Sequence, residues 1–280
     1  MKAKHGLTAL IVSAALAFPA MSLEDNAEKH EALHMRECVP KEYSVGDSQV
    51  VFQLCGDLSR DSYVLTAMHR DETTGIGLAL EEGPNLIYLS DLIPGKKERW
   101  VRFTLDNDDR VSFKVDPNRI FSYDGARESL ERNTLKWDKV PEEMKEKAIG
   151  EAVKLGDAMT SMLEGYNGII SLHNNQNNGM TVNTFKGESY EAKSGGKVHV
   201  TKKKDPDDFF FVTREKDFDE LKGRGYNVVL QETGEMGEDG SLSWWSYSNN
   251  IPYINVEVQY SHKKIQKEML DVAKELILKP

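Results

Sequence analysis

His69-Arg70-Asp71-Glu72 sets an imidazole and a carboxylate three residues apart, just after the apolar run Tyr63-Val64-Leu65-Thr66-Ala67. Zinc accepts histidine nitrogen and carboxylate oxygen, and a catalytic zinc site keeps three protein ligands with a fourth position open for water. A His and a Glu so spaced, in a turn leaving a strand, can converge on one ion. His173, the polar stop after a second apolar run at residues 168–172, can supply the third ligand. Taken alone, His69 reads as a hydrogen-bonded histidine at a strand end. A second pattern competes, because His30-Glu31-Ala32-Leu33-His34 matches H-E-x-x-H, in which one helix face presents two imidazoles and the Glu activates water. No strand precedes it to form a cleft, and Glu24, Asp25, Glu28, Lys29, Arg36 and Glu37 surround it, so a charged surface helix is the plainer reading. If that pattern held a metal, deleting residues 23–36 would remove it.

Such residues need elements to hold them. Short β-branched and aromatic runs bounded by turn residues predict strands at 49–54, 62–67, 85–89, 100–105, 168–172, 208–212, 227–230 and 253–258. Helices are predicted at 75–82, 216–222 and 262–278, and most clearly at 141–164. There Pro141 suits the first helical position, and Met144, Ala148, Ala152, Leu155, Met159 and Met162 share one face. Strands alternating with helices imply an α/β fold, a single domain over residues 23–280 with a mixed, largely parallel sheet flanked by helices. In such sheets ligands bind beyond the carboxyl ends of strands. This singles out His69 and Glu72, then His173, and also Glu257 within its apolar strand. Without further context Glu257 would be the solvent face of an edge strand.

Four segments carry a family resemblance. Residues 66–75, Thr-Ala-Met-His-Arg-Asp-Glu-Thr-Thr-Gly, resemble the H-x-x-E zinc-binding turn of the metallocarboxypeptidases and of the succinylglutamate desuccinylase/aspartoacylase deacylases. Asp116-Pro117-Asn118-Arg119-Ile120-Phe121 resembles their D-L-N-R-x-F segment, with Pro117 in place of Leu. Ile170-Ser171-Leu172-His173 resembles the strand of the third ligand, and Ile254-Asn255-Val256-Glu257-Val258 the late strand of the catalytic Glu. The segments come in the family's order, while Arg70-Asp71 departs from the Gly-Asn of many relatives. The resemblance implies a metallocarboxypeptidase-like fold and Zn2+ on His69, Glu72 and His173. Zinc would polarise an amide carbonyl and lower the pKa of a bound water towards about 7, with Glu257 shuttling the proton to the leaving nitrogen.

It further implies that Asn118 and Arg119 hold a free carboxylate of the substrate, a task that suits the paired donors of a guanidinium. Asp-Pro-Asn is also ordinary turn chemistry. A further family Arg, for the developing oxyanion or the substrate, is expected at Arg110, with Arg102 in reserve, and the family's mobile Tyr at Tyr247. Trp244 and Trp245 beside it lie in an expected loop that either lines a groove or packs. Residues 174–178, four Asn and one Gln, are expected as a polar loop at the mouth of the site, and residues 202–204 as a solvated run of Lys. The implied substrate is a peptide or an acylated amino acid with a free carboxylate; the alternative is a non-catalytic binding protein that keeps the fold and the anion site.

Composition narrows the setting. The chain has 280 residues, 39% hydrophobic and 29% charged, with 36 basic and 46 acidic side chains. That apolar share can bury a core, and a net charge of −10 argues against sequence-independent nucleic-acid binding, which needs a cationic surface. Residues 1–22 read as a secretory signal peptide: Lys2 and Lys4, an apolar run at 7–18, and small residues at Ala20 and Ser22 before a cleavage site. Its removal would leave 258 residues at net charge −12, exported to a periplasm or beyond with no stable membrane insertion. The two cysteines, Cys38 and Cys55, are then expected to be bridged.

Overall fold

Alternating and continuous apolar runs assemble a nine-stranded sheet, ordered β1-β2-β4-β3-β7-β11-β9-β10-β8. The strands are β1 (Cys38–Val45), β2 (Ser48–Gly56), β3 (Tyr63–Ala67), β4 (Asn85–Ser90), β7 (Gly168–Asn175), β8 (Lys197–His199), β9 (Phe209–Val212), β10 (Val228–Leu230) and β11 (Tyr253–Gln259). A separate hairpin sheet joins β5 (Val101–Leu105) to β6 (Asp108–Val115). The helices are α1 (Thr73–Glu82), α2 (Tyr123–Asn133), α3 (Glu142–Leu163), α4 (Glu215–Gly223), α5 (Leu242–Ser248) and α6 (Lys263–Ile277). The computed structural model describes residues 37–83, 85–90, 98–106, 108–187, 196–231 and 238–279. The expected leader at 1–22 and the His30/His34 pattern lie outside these residues.

Parallel pairing runs through the centre, from β4 to β3, β7 and β11, and again from β9 to β10. The pairs β1–β2, β2–β4, β11–β9 and β10–β8 are antiparallel. The sheet is thus mixed, with its parallel part in the middle, where both faces are covered. One face packs against α2, α3 and the β5–β6 hairpin through Phe52, Phe103, Phe113, Leu130, Ile149 and Met159. The other packs against α1, α4 and α6 through Leu78, Leu221, Met269 and Leu276. Every residue of β7 is buried, as a central parallel strand requires. At the N-terminal edge, Cys38 and Cys55 face each other in the β1–β2 register and are joined by a disulfide.

Several expectations change. His173 does not stop β7: the strand continues through Asn174 and Asn175, both buried, and the loop starts at Gln176. Polar residues persist there because the fold meets their hydrogen bonds. Asn174 Oδ1 accepts from the Gly75 amide at 3.2 Å and its Nδ2 donates to Gln266 Oε1 at 3.0 Å, which ties α1 and α6 to the end of β7. Trp244, Trp245 and Tyr247 lie on helix α5, with Ser241 accepting at its N-cap, and not in a loop. The strand β5 belongs to the hairpin and not to the main sheet. Strands β1, β6 and β8 and helix α2 add to the elements expected from the pattern.

Candidate metal centre

Because β3, β7 and β11 run parallel side by side, their carboxyl ends open on one place. His69 follows β3 by two residues, His173 lies in β7, and Glu257 pairs with His173 in the β11–β7 register. Glu72 precedes the first residue of α1 and folds back between the histidines. Its Oε1 lies 3.0 Å from His69 Nδ1 and 3.3 Å from His173 Nδ1, and its Oε2 accepts the Asn174 amide. All three side chains are at least 94% buried, and their ligand atoms lie within 4.8 Å of one another. Bonds of 2.0–2.1 Å in a tetrahedron place ligand atoms about 3.3 Å apart, so the spacing suits one small cation.

The outer contacts point the same way. His69 Nε2 donates to Asp116 Oδ1 at 2.8 Å, and His173 Nε2 lies 3.1 Å from Ser171 Oγ. A carboxylate on the far nitrogen fixes the tautomer and leaves Nδ1 as the basic atom, the usual outer arrangement of a metal-bound histidine. Charge argues likewise: Glu72, Asp116 and Glu257 share this region with two arginines, Arg99, whose Nη1 is 3.5 Å from Glu72 Oε1, and Arg119, whose charge reaches Asp116. An excess of buried carboxylates is costly unless a cation or protons offset it. These residues fit a divalent metal.

Burial and neighbours set the protonation states. Burial alone would raise Glu72, yet hydrogen bonds from His173 and His69 hold it at about 2. Asp116 is likewise held far below the usual carboxylate range, because burial is outweighed by His69 and the Arg119 and Arg99 charges. Burial would lower His69 and so would Arg99, but Asp116 and Glu72 raise it. Glu257 moves the other way. Burial lifts its pKa, the nearby Glu72 charge adds to the rise, and His173 only partly opposes it. A raised carboxyl beside ionised ones is how a site separates a proton carrier from its ligands.

A cavity of about 460 Å³ opens over this centre. His69, His173, Glu257, Asn118 and Arg119 all line it. Asn118 and Arg119 occupy the turn after β6. The Asn118 side chain accepts from the Leu242 amide at 3.1 Å, and Arg119 Nη1 donates to Asn118 O at 2.8 Å. This turn packs on Gly125 and Gly240, where a Cβ on Gly240 would fall 2.6 Å from Gly125 Cα and 2.7 Å from Arg119 O. Gly240 also has φ +68°, so glycine is required twice over.

Three expected residues stand elsewhere. Arg110 is exposed on β6, and Arg102 on β5 pairs with Glu98 at the surface; the cavity is lined by neither. Arg99 lines the cavity instead. Tyr247 is 45% exposed on α5 and outside the cavity lining, which instead contains Tyr253 and Tyr260. Tyr260 donates its hydroxyl to Asp71 O at 3.0 Å. Arg99 and Asp116 also line the cavity, and neither is among the expected site residues. For Asp116 a signal existed, since it follows the apolar β6 as His69 follows β3. Arg99 sits in the charged run Lys96-Lys97-Glu98-Arg99, which reads as solvated surface.

No protein-family model and no curated protein matches the chain. Among solved structures it is similar to a protein provisionally named carboxypeptidase A from Shewanella denitrificans OS-217, at 10% identity and a TM-score of 0.39, over 88% of this chain and 65% of that one. It is also similar to a protein provisionally named succinylglutamate desuccinylase/aspartoacylase from Shewanella frigidimarina NCIMB 400, at 11% identity and a TM-score of 0.37, over 86% of this chain and 71% of that one. The chain thus spans just under two thirds of the first of these proteins. At such overlap the chemistry has to be read from the side chains themselves.

Proposed function

We propose that this chain is a zinc-dependent hydrolase that cleaves an amide bond next to a free carboxylate. One observation carries the reading: the buried His69–Glu72–His173 cluster, with Glu257 paired to His173, shares a cavity with Arg119 and Asn118. Zinc, when bound, would polarise the scissile carbonyl and acidify a water. Three donors of this type, with nothing else required to complete a shell, suit a catalytic site more than a structural one.

The chain's own residues supply the rest. Glu257 takes a proton from the attacking water on its carboxylate and returns it to the leaving nitrogen; its raised pKa favours a group that must hold that proton in between. Arg99 sets a guanidinium beside Glu72 at the cavity wall, where it counters negative charge developing on the substrate oxygen. Arg119, with the NH2 of Asn118, binds the substrate carboxylate and so fixes which bond reaches the centre. The chain is proposed to act outside the cytoplasm, in a periplasm or as a secreted protein, which the leader-like residues 1–22 and the Cys38–Cys55 disulfide support. Cell-wall peptides are then a substrate class within reach.

Two measurements test this. Metal analysis of purified protein should find close to one zinc per chain, and His69→Ala should lose it; full retention in the variant refutes the ligand set. Incubation with defined muropeptides and C-terminal peptides, read by mass spectrometry, should show cleavage that Glu257→Gln abolishes while zinc is kept. No cleavage of any of them by the zinc-loaded wild type would favour a binding protein built on the same anion site.

A further inference from the structure

One polar group in the cavity wall has no part in the steps above. Asn175 is the last residue of β7, two after His173 and therefore on the same face of the strand, and it is 8% exposed. Its Nδ2 donates to Met180 O at 3.0 Å and to Asp207 O at 2.9 Å. The amide orientation is thereby fixed, because the reverse one would set Oδ1 against two carbonyl oxygens. Its main-chain oxygen accepts from the Tyr260 amide at 2.8 Å. That leaves Oδ1, buried and without a partner. A buried acceptor in this state carries its full desolvation penalty, and the large majority of such atoms are satisfied. Asn255 Oδ1, also in the wall, is unpartnered too. Its NH2 rests only on a 3.4 Å contact to Glu257, so that amide can turn and is the weaker case.

The position of Asn175 says which half of a substrate it meets. The β11–β7 register places Asn175 opposite Gln259, His173 opposite Glu257, and Tyr253 at the far end of β11. The Asn118 side chain accepts from the Leu242 amide, and Leu242 packs in one buried cluster with Tyr253, so the carboxylate clamp belongs to the Tyr253 end. The clamp and Asn175 therefore lie on opposite sides of the His173–Glu257 pair. With the carboxylate on the leaving half, Asn175 faces the acyl half. It stands about 7 Å along the strand from His173. A peptide N–H lies about 2.5 Å from the carbonyl carbon of its own residue, and a hydrogen bond reaches roughly 2.9 Å further, so its acceptor belongs near the centre and on the strand face that His173 and Asn175 share.

Building on the hydrolase reading, the geometry points to Asn175 Oδ1 as a preset acceptor for an N–H of the acyl half. The substrate is then a peptide, with an amide before the scissile bond, and not an amino acid carrying a plain aliphatic acyl group. A site built around a buried acceptor discriminates against a ligand that lacks the donor, since the acceptor is then desolvated for nothing.

Matched pairs test this: N-acetyl-alanyl-X against its ester analogue O-acetyl-lactyl-X, which keeps the chain and puts an oxygen in place of the N–H, with X ranging over amino acids bearing a free carboxylate. Wild type should prefer the amide member by about 100-fold in kcat/KM. Asn175→Leu should cut that preference below about tenfold, because the amide member loses more activity than the ester member. Equal handling of the pair by wild type overturns the inference, as does an equal loss on both members in the variant, which would mark Asn175 as structural. Calorimetry of the same pairs on zinc-loaded Glu257→Gln keeps the two readings apart. If no X is hydrolysed, a retained affinity preference upholds the Asn175 contact and overturns only the hydrolase, whereas equal affinities overturn the contact itself.

Discussion

Glu72 and Glu257 lie in one buried centre and are driven in opposite directions, and both directions can be measured. Glu257 has a folded pKa above its unfolded value. The native state therefore binds more protons than the unfolded one as pH rises past the unfolded value near 4.3, and stability falls across that interval. In chelator-treated protein, Glu257→Gln should raise the melting temperature at pH 8 and make little difference at pH 4; a lower melting temperature at pH 8 contradicts this environment. Glu72, held at about 2, has the reverse sign. Its contribution is present above about 4.3 and is lost as pH falls towards 2, so the metal-free protein should weaken in acid. Asp116 touches His69 and not the cluster's shared carboxylate. Asp116→Asn should cost about 10–100-fold in zinc affinity through loss of that orienting bond, measured by competition with a chromophoric chelator. Unchanged affinity would leave Asp116 no part in the site.

At the scale of elements, the turn after β6 depends on a contact between two glycines. Gly240→Ala puts a methyl group into Gly125 Cα and Arg119 O and demands a left-handed backbone. The expected cost is about 1–3 kcal/mol of stability. Its kinetic mark should be a KM for carboxylate-bearing substrates that rises more than kcat falls, since Arg119 moves and His69, Glu72 and His173 do not. A purely kcat effect would separate Arg119 from substrate binding. The β1–β2 hairpin carries the other element-scale prediction. A bridge between residues 17 apart in sequence stabilises by about 3 kcal/mol through loop entropy. Replacing Cys38 and Cys55 by Ala should lower the denaturation midpoint accordingly, with little change in zinc content, because β4 separates this hairpin from β3, the nearest strand that leads to a ligand.

For the whole molecule, the metal would join α1, β3 and β7 through one ion. A ligand that binds only the folded state stabilises it by about 2.7 kcal/mol at a hundred times its dissociation constant. Stripping zinc with a chelator should therefore lower the melting temperature, and adding zinc back should restore it, whereas His69→Ala should respond to neither. None of the described helices is long and apolar enough to cross a membrane. The acidic chain, at net charge −10, gathers Arg99, Arg119 and Arg132 into a cavity that Asp71, Asp116, Asp239 and Glu257 also line, so an anionic group on a ligand is favoured only beside the guanidiniums.

The sequence by itself determined the strands and helices with strong period, and with them the rule that ligands gather at strand ends. His69, Glu72, His173 and Glu257 were legible for that reason, since each follows or lies in an apolar run and local pattern reports burial, whereas Asn118 and Arg119 stood out only through the resemblance of residues 116–121 to a family segment. Tertiary structure alone decided the rest. It put Arg99 in the cavity wall and Arg110 and Arg102 at the surface, because a long side chain reaches the centre or the solvent according to how its hairpin lies on the sheet, which no local pattern encodes. It put Tyr260 and Tyr253 in the cavity instead of Tyr247, whose place on α5 follows from the phase of a short helix. It also carried β7 on through Asn174 and Asn175. Their polarity signals an end to a strand, and only partners distant in sequence, Gly75, Gln266, Met180 and Asp207, make their burial affordable.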